Sequence, residues 1–427
     1  MRKTLAKNIF LNINPIKKFR TIKIQVDFLR PLKKEETTGR RLLANVMSNS
    51  TANYPSFRSI NDREMELYGS EINVFTRNLL NFNDLAFSIE FADPNFLIDG
   101  QTQIKDNLEL LNEIIFKPNL TGKEFNQTSF ETEKRNLMSN LVSIQDNQDL
   151  VSTLGLTKLI YQNNPDRQIP IFGSIDQLNE LTNEKLLEMY QDVIKNDTIV
   201  INVVGNVDEE KFAEDILTSS FYTQMNNERL DLKIEFDKFN QLIANPAEKI
   251  EHKHLNQSRI ALAYATEGVS KKFNRLAPQI MNLILGGDDQ SQLFQQVREK
   301  NSLAYSVSST YQPLSHLVTI QAGLDSDSVQ KALDLINQQI DFIKNGEFTD
   351  TQVEHAQKVM LTRRKIATDS IQYYIMRSIW ETVYPKTLMS DEQFQTELDN
   401  LDRDHIASVA NNLHAIAQYQ LIGDSND

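Results

Sequence analysis

The order of elements along this chain is written twice, and a duplicated pattern leaves few architectures open. Residues 21 to 29, TIKIQVDFL, alternate like a half-buried strand. Thr37 to Met47 and Tyr54 to Leu67 have helical spacing, and Gly69 to Thr76 and Asn83 to Phe91 read as strands. A long helix follows over Ile104 to Phe116. Pro118 ends it, Thr121 with Glu124 three residues on reads as a helix cap, and Phe125 to Ser143 continues helically. From Ser258 the same textures return in the same order: SRIALAYA as the first strand, LAPQIMNLILGG as the first helix, LFQQVREKNSLAYSVS as the helix and strand around Gly69, and HLVTIQAGL as the strand at Asn83. SDSVQKALDLINQQIDFI and TDTQVEHAQKVMLTRRKI then repeat the two long helices. The tails agree as well, since 173–206 and 390–424 both run helix, helix, strand. An offset of about 236 residues, shrinking later in the repeat, implies two homologous halves with unequal loops. The fold class is therefore α+β, two copies of one unit, divided as 1–222, a polar connector 223–256, and 257–427.

Composition narrows the function classes. At 427 residues the chain exceeds what one core usually supports, which agrees with two halves. A net charge of -13 argues against a nucleic-acid binder, which presents a basic face. The first 41 residues do hold twelve Lys or Arg against three acidic residues, which we read as solvated strand edges and loops. No apolar run is long enough to span a bilayer, and the N-terminus lacks the apolar run and small-residue site of a signal peptide, so a cytoplasmic protein is expected. Zero cysteines exclude disulfides, a thiolate nucleophile and any Cys-based zinc site. The six histidines begin at His252, so the first half has none of its own for catalysis or metal binding.

One stretch carries the strongest candidate chemistry. In Leu285 to Tyr311, the apolar residues Leu293, Phe294 and Val297 recur at helical spacing and the texture then turns to that of a strand. Arg298 closes the helix and Tyr305 opens the strand, with a turn expected at Glu299 to Ser302. By itself the pair also fits a cation at a helix C-terminus and a strand residue half in the core. Other candidates are weaker: His252 and His254 are too few to make a metal site, Glu354 and His355 cannot converge on one helix face, and Gly286 and Gly287 read as a helix C-terminal cap.

The order of elements, the repeat and the run LFQQVREKNSLAY resemble the pitrilysin or insulinase family of zinc peptidases, the inverzincins, over nearly the full length. That resemblance implies antiparallel-rich sheets covered by helices, with the two halves closing a clamshell chamber. In active members a helix matching Thr37 to Met47 carries H-x-x-E-H, whose histidines hold zinc while the Glu activates water, and a second Glu comes from the helix matching Phe125 to Ser143. Placed on GRRLLANVM, the motif puts the two histidines at Leu42 and Val46 and the base at Asn45, and the distal ligand falls on Asn140. Leu and Val have no lone pair to donate, and a carboxamide is too weak a base to deprotonate water. Glu131 and Glu133, without His partners, read as a solvated helix face. The chain is thus expected to bind no zinc or other cofactor and to be no enzyme alone.

The same resemblance places Arg298 and Tyr305 on the two family positions that contact substrate at the zinc site. It implies a non-catalytic subunit of a heteromeric zinc peptidase, a heterodimer with an active homologue carrying H-x-x-E-H, and a peptide or protein substrate. Among bacterial members, RRLLANVM and GSIDQLNELTNEKLLEMY most resemble the inactive peptidase-like proteins associated with aminopentanol modification of elongation factor P. The alternative is a peptide-binding or scaffold protein of the same fold with no hydrolysis in any assembly. A self-contained enzyme is disfavoured by the missing Cys and the missing N-terminal His.

Overall fold

Two sheets with the same strand order organise the chain. The computed structural model describes residues 1–225, 229, 231, 246–266, 275–385 and 388–424. The first sheet is built from β1 (Arg2–Ala6), β2 (Ile9–Pro15), β3 (Thr21–Pro31), β4 (Glu71–Leu79), β5 (Phe82–Ala92) and, after a two-strand hairpin of β6 (Leu120–Thr121) and β7 (Glu124–Phe125), β8 (Thr198–Gly205). Its order is β1-β2-β8-β3-β5-β4. The second sheet contains β9 (Ala247–Lys253), β10 (Ser258–Thr266), β11 (Ala304–Gln312), β12 (Leu317–Leu324) and β13 (Leu413–Gly423), ordered β9-β13-β10-β12-β11. Apart from β1, each strand of one sheet has its counterpart at the same place in the other. The single parallel pairing of each sheet, β2 with β8 and β9 with β13, recurs as well.

Contacts group the chain into two compact units, neither of them one continuous stretch. The first comprises Met1–Ser143, Ile169–Glu235 and Ala367–Leu388, and the second Ile144–Gln168, Phe236–Ile366 and Met389–Asp427. Of the connector read at 223–256, residues 226–228, 230 and 232–245 lie outside the described residues, while 247–253 forms β9. This strand is an edge of charged residues, AEKIEHK, whose exposed positions hide it from a search for apolar alternation.

In the first unit β3 is covered on both faces rather than half-buried. Ile22, Ile24, Val26 and Phe28 form one apolar face, and Gln25 and Asp27 on the other are also fully buried. The polar face is satisfied internally: Arg77 donates to Asp27 at 2.8 Å and to Asp84 at 2.7 Å, and Asn202 donates to Asp27 at 2.8 Å. The helix Ile371–Val383 closes this face, with Ile375 and Ile379 packed on Leu29, Phe82, Val200 and Val204. Asn12 and Asn14 fix its register by donating to Thr382 at 3.0 Å and Ser378 at 2.9 Å.

Helices α1 (Lys34–Met47), α2 (Phe57–Glu66), α3 (Gln103–Phe116) and α4 (Gln127–Ser143) belong to the first unit. The expected cap at Thr121 is instead part of the β6–β7 hairpin, turned by Gly122 at φ 66°. The side chain of Asn126 caps α4 by accepting from the Ser129 amide at 3.2 Å. Several basic residues of the N-terminal segment are spent inside this unit. Arg40 is fully buried, donating to Asp197 at 2.7 Å and to the Phe28 carbonyl at 2.8 Å, and Arg30 also pairs with Asp197.

In the second unit the face carrying Ile260, Leu262, Val318 and Ile320 packs on helix Val329–Lys344 through Ala332, Leu333, Ile336 and Ile340. The opposite face is lined with alanines, Ala261, Ala263 and Ala417, and receives α5 (Gln148–Ile160) through Leu156. Small side chains there let the helix backbone come close. A Cβ on Gly155 of α5 would lie 2.4 Å from the Tyr419 ring. No helix among the described residues is long and apolar enough to cross a membrane.

Candidate functional site

In the first unit, α1 presents two different sides. Leu42, Leu43, Val46 and Met47 form its apolar stripe and are buried in the core, as an amphipathic helix requires. Arg41, Asn45, Ser48 and Asn49, spaced at three and four residues, line a cleft of about 460 Å³. Across it stand Glu133, Asn136, Ser139 and Asn140 of α4, whose Leu137 and Leu141 are buried on the helix's inner side.

The four positions assigned to the degenerate zinc motif are therefore parted. Asn45 and Asn140 come together in the cleft, whereas Leu42 and Val46 point into the core. The pair one turn apart that faces the cleft is Arg41 and Asn45, one residue earlier than the Leu42–Val46 pair. The apolar stripe alone would have given this register, because the cleft side is its complement. Glu133, expected on a solvated face, also lines the cleft, and burial pushes its carboxyl above the usual range while Asn136 donates to it at 3.1 Å.

The residues present do not fit zinc. Zinc takes imidazole nitrogen, thiolate or carboxylate ligands. This cleft offers one carboxylate, neutral amides and hydroxyls, and a guanidinium that would repel a dication. Arg41 has no hydrogen bond or ion pair among the described residues, and its Nε is buried without a partner. Burial alone holds the guanidinium below its ordinary range.

In the second unit, Arg298 lies in the wide-turned helix Phe294–Lys300 and Tyr305 at the start of β11. The turn between them is the expected one. Ser302 adopts φ 51° and donates its amide to the Arg298 carbonyl at 3.1 Å, and the Leu303 amide reaches the Val297 carbonyl at 3.0 Å. The pairing of β11 with β12 shifts between Ala304 and Ser306, so Tyr305 is the extra residue of a β-bulge on an edge strand. A bulge re-aims side chains, and Tyr305 is 57% exposed rather than half in the core. Its hydroxyl donates to Asp325, 3.0 Å from each carboxylate oxygen, which raises the phenol's pKa above its ordinary value. Arg298 stacks on Phe294 at 4.6 Å and approaches its neighbour Glu299 at 3.6 Å, leaving its side chain 44% exposed. Gly286 is not a left-handed cap. A Cβ there would meet the Ser309 amide and the Leu293 side chain, each at 2.8 Å, so the glycine serves close packing of this helix region on β11.

The remaining candidates resolve as local contacts. His252 pairs with Asp424 at 3.0 Å, and His355 with Asp288 at 3.0 Å. Among the described residues no group of three or more His, Cys, Asp or Glu side chains could hold a metal ion.

Comparison with known proteins places this geometry. Residues 180–360 match the model of the Peptidase M16 inactive domain. The probable inactive metalloprotease YmfF of Bacillus subtilis is 26% identical over 95% of this chain and 94% of its own length. The chain thus resembles M16 peptidase homologues. The chain is also similar to a conserved protein of Enterococcus faecalis V583, with a TM-score of 0.92 and 28% identity over 100% of this chain and 99% of that one. A peptidase M16 inactive domain from Pseudomonas fluorescens shares the fold, with a TM-score of 0.78 and 16% identity over 100% and 99% of the two chains. The matched segment 180–360 contains Arg298 and Tyr305 and excludes α1 and α4.

Proposed function

We propose that this chain is the non-catalytic subunit of a heteromeric zinc peptidase and lends Arg298 and Tyr305 to the zinc site of a partner carrying H-x-x-E-H. The observation that carries the reading is the bulge at Tyr305, which holds a phenol in solvent on an edge strand one turn beyond an exposed arginine. Arg298 supplies a fixed fork for a peptide carbonyl or carboxylate, and Tyr305 a single O–H donor for oxygen that gains negative charge. The cleft between α1 and α4 supports the division of labour, since its one carboxylate, Glu133, has no imidazole or second carboxylate beside it among the described residues to complete a zinc ligand set. The substrate class is a peptide or protein. A link to aminopentanol modification of elongation factor P belongs to the same reading and rests on the sequence resemblance, and a cytoplasmic location rests on the absence of cysteines and of a membrane-length apolar run.

A second reading, a peptide-binding scaffold without hydrolysis in any assembly, is favoured by the contact of Tyr305 with Asp325, which already engages the hydroxyl. Metal analysis of the purified chain, together with co-purification from its native cell, tests the proposal. The expected result is no stoichiometric zinc, no peptide cleavage by the chain alone, and recovery of a homologue bearing H-x-x-E-H. One tightly bound zinc per chain would overturn it.

A further inference from the structure

The cleft that lacks zinc ligands has a chemistry of its own. Arg41 is partly buried and its Nε is enclosed without a partner, and a polar atom taken out of water calls for a counter-charge or hydrogen bonds. Glu133 shares the cleft, yet no ion pair joins it to Arg41 among the described residues, and its carboxylate instead takes the amide of Asn136. Beside Arg41, Asn45 and Asn140 line the same space with side chains that make no hydrogen bond among the described residues. One cation and two free amides around an open volume of about 460 Å³ are an incomplete set of interactions. What completes it is a flat acceptor with a single negative charge.

We propose that the cleft between α1 and α4 is a carboxylate-binding site, in which Arg41 pairs with the anion and Asn45 and Asn140 donate amide hydrogens to it. A guanidinium fork matches the two oxygens of a carboxylate. A phosphate dianion fits less well, since one arginine balances one charge and Glu133 stands nearby. The volume accommodates a chain end or a short acidic side chain together with its flanking backbone. The lowered pKa of Arg41 agrees, because burial is not offset by any anion of the chain itself. This site lies wholly within the first unit and does not depend on a zinc-bearing partner.

The test titrates the full chain with three probes: N-acetyl-tetraalanine with a free carboxyl terminus, the same peptide as its terminal amide, and an amidated peptide of the same length with one internal Asp. The NMR signal of the Arg41 Nε–H, assigned by its loss in Arg41→Gln, reports binding at the site. The free acid is expected to bind at least about tenfold more tightly than the amide and to move that signal, as a charge-assisted hydrogen bond requires. Binding by the Asp peptide as well would show that side-chain carboxylates are also taken. Equal binding of acid and amide, or a signal that none of the probes moves, would overturn the proposal. Where Arg41→Gln fails to fold, Arg41→Lys, which keeps the charge and lacks a guanidinium Nε–H, supplies the assignment, and the acid–amide comparison itself is made on the wild-type chain.

Discussion

Tyr305 donates its hydroxyl to Asp325, midway between two carboxylate oxygens that are each 3.0 Å away. A phenol has one proton to give, so any peptide carbonyl that Tyr305 serves must take it from Asp325. The contact also fixes the direction of the titration. The carboxylate stabilises the protonated phenol and repels the phenolate, so the pKa is raised. Stability from this contact is fully present below the ordinary phenol value of about 10 and is lost as pH rises through the higher folded value. Asp325→Asn is expected to lower the Tyr305 pKa toward the ordinary value. Ultraviolet absorbance titration checks it, with Tyr305→Phe subtracted to isolate this tyrosine, and an unchanged curve would count against the geometry.

The ion pair of Arg40 with Asp197 is fully buried at both ends. Removing one partner strands the other charge in the core. Asp197→Ala, which also leaves Arg30 without that carboxylate, is expected to cost about 3–5 kcal/mol in urea unfolding. Replacement of an exposed ion pair such as Arg58 with Asp62 should cost less than about 1 kcal/mol.

Gly155 tests the placement of α5 on the second sheet. Ala in a helix interior is favoured over Gly by about 1 kcal/mol. Here the added Cβ would lie 2.4 Å from the buried ring of Tyr419. Gly155→Ala is therefore expected to destabilise the chain by about 1–2 kcal/mol, overpacking outweighing propensity. A more stable variant would mean that α5 does not pack on Tyr419.

The repeat, the α+β class and the likeness to the zinc peptidases were legible because apolar periodicity is local and survives in both copies. The exchange of covering helices was not. Residues 144–168 lie in the first half of the sequence and pack in the second unit, while 367–388 lie in the second half and pack in the first. Nothing local in Leu156 or Ile375 says which sheet receives it. Strand β9 escaped for a different reason, being a charged edge without an apolar face. At the site, aligning a motif on GRRLLANVM selected Leu42 and Val46, whereas the helix's own apolar stripe assigns those two to the core and turns Arg41 and Asn45 to the cleft. The bulge that exposes Tyr305 depends on the pairing of β11 with β12, which no run of side chains records.

The central claim is that Arg298 and Tyr305 serve a site whose metal belongs to another chain. Peptide turnover by a complex reconstituted with a homologue carrying H-x-x-E-H tests it most directly, comparing wild type with Arg298→Ala and Tyr305→Phe. Both variants are expected to assemble normally and to lose about 100-fold or more in kcat, the scale for losing one oxyanion donor. Unchanged turnover by the fully assembled variant complexes would contradict the claim.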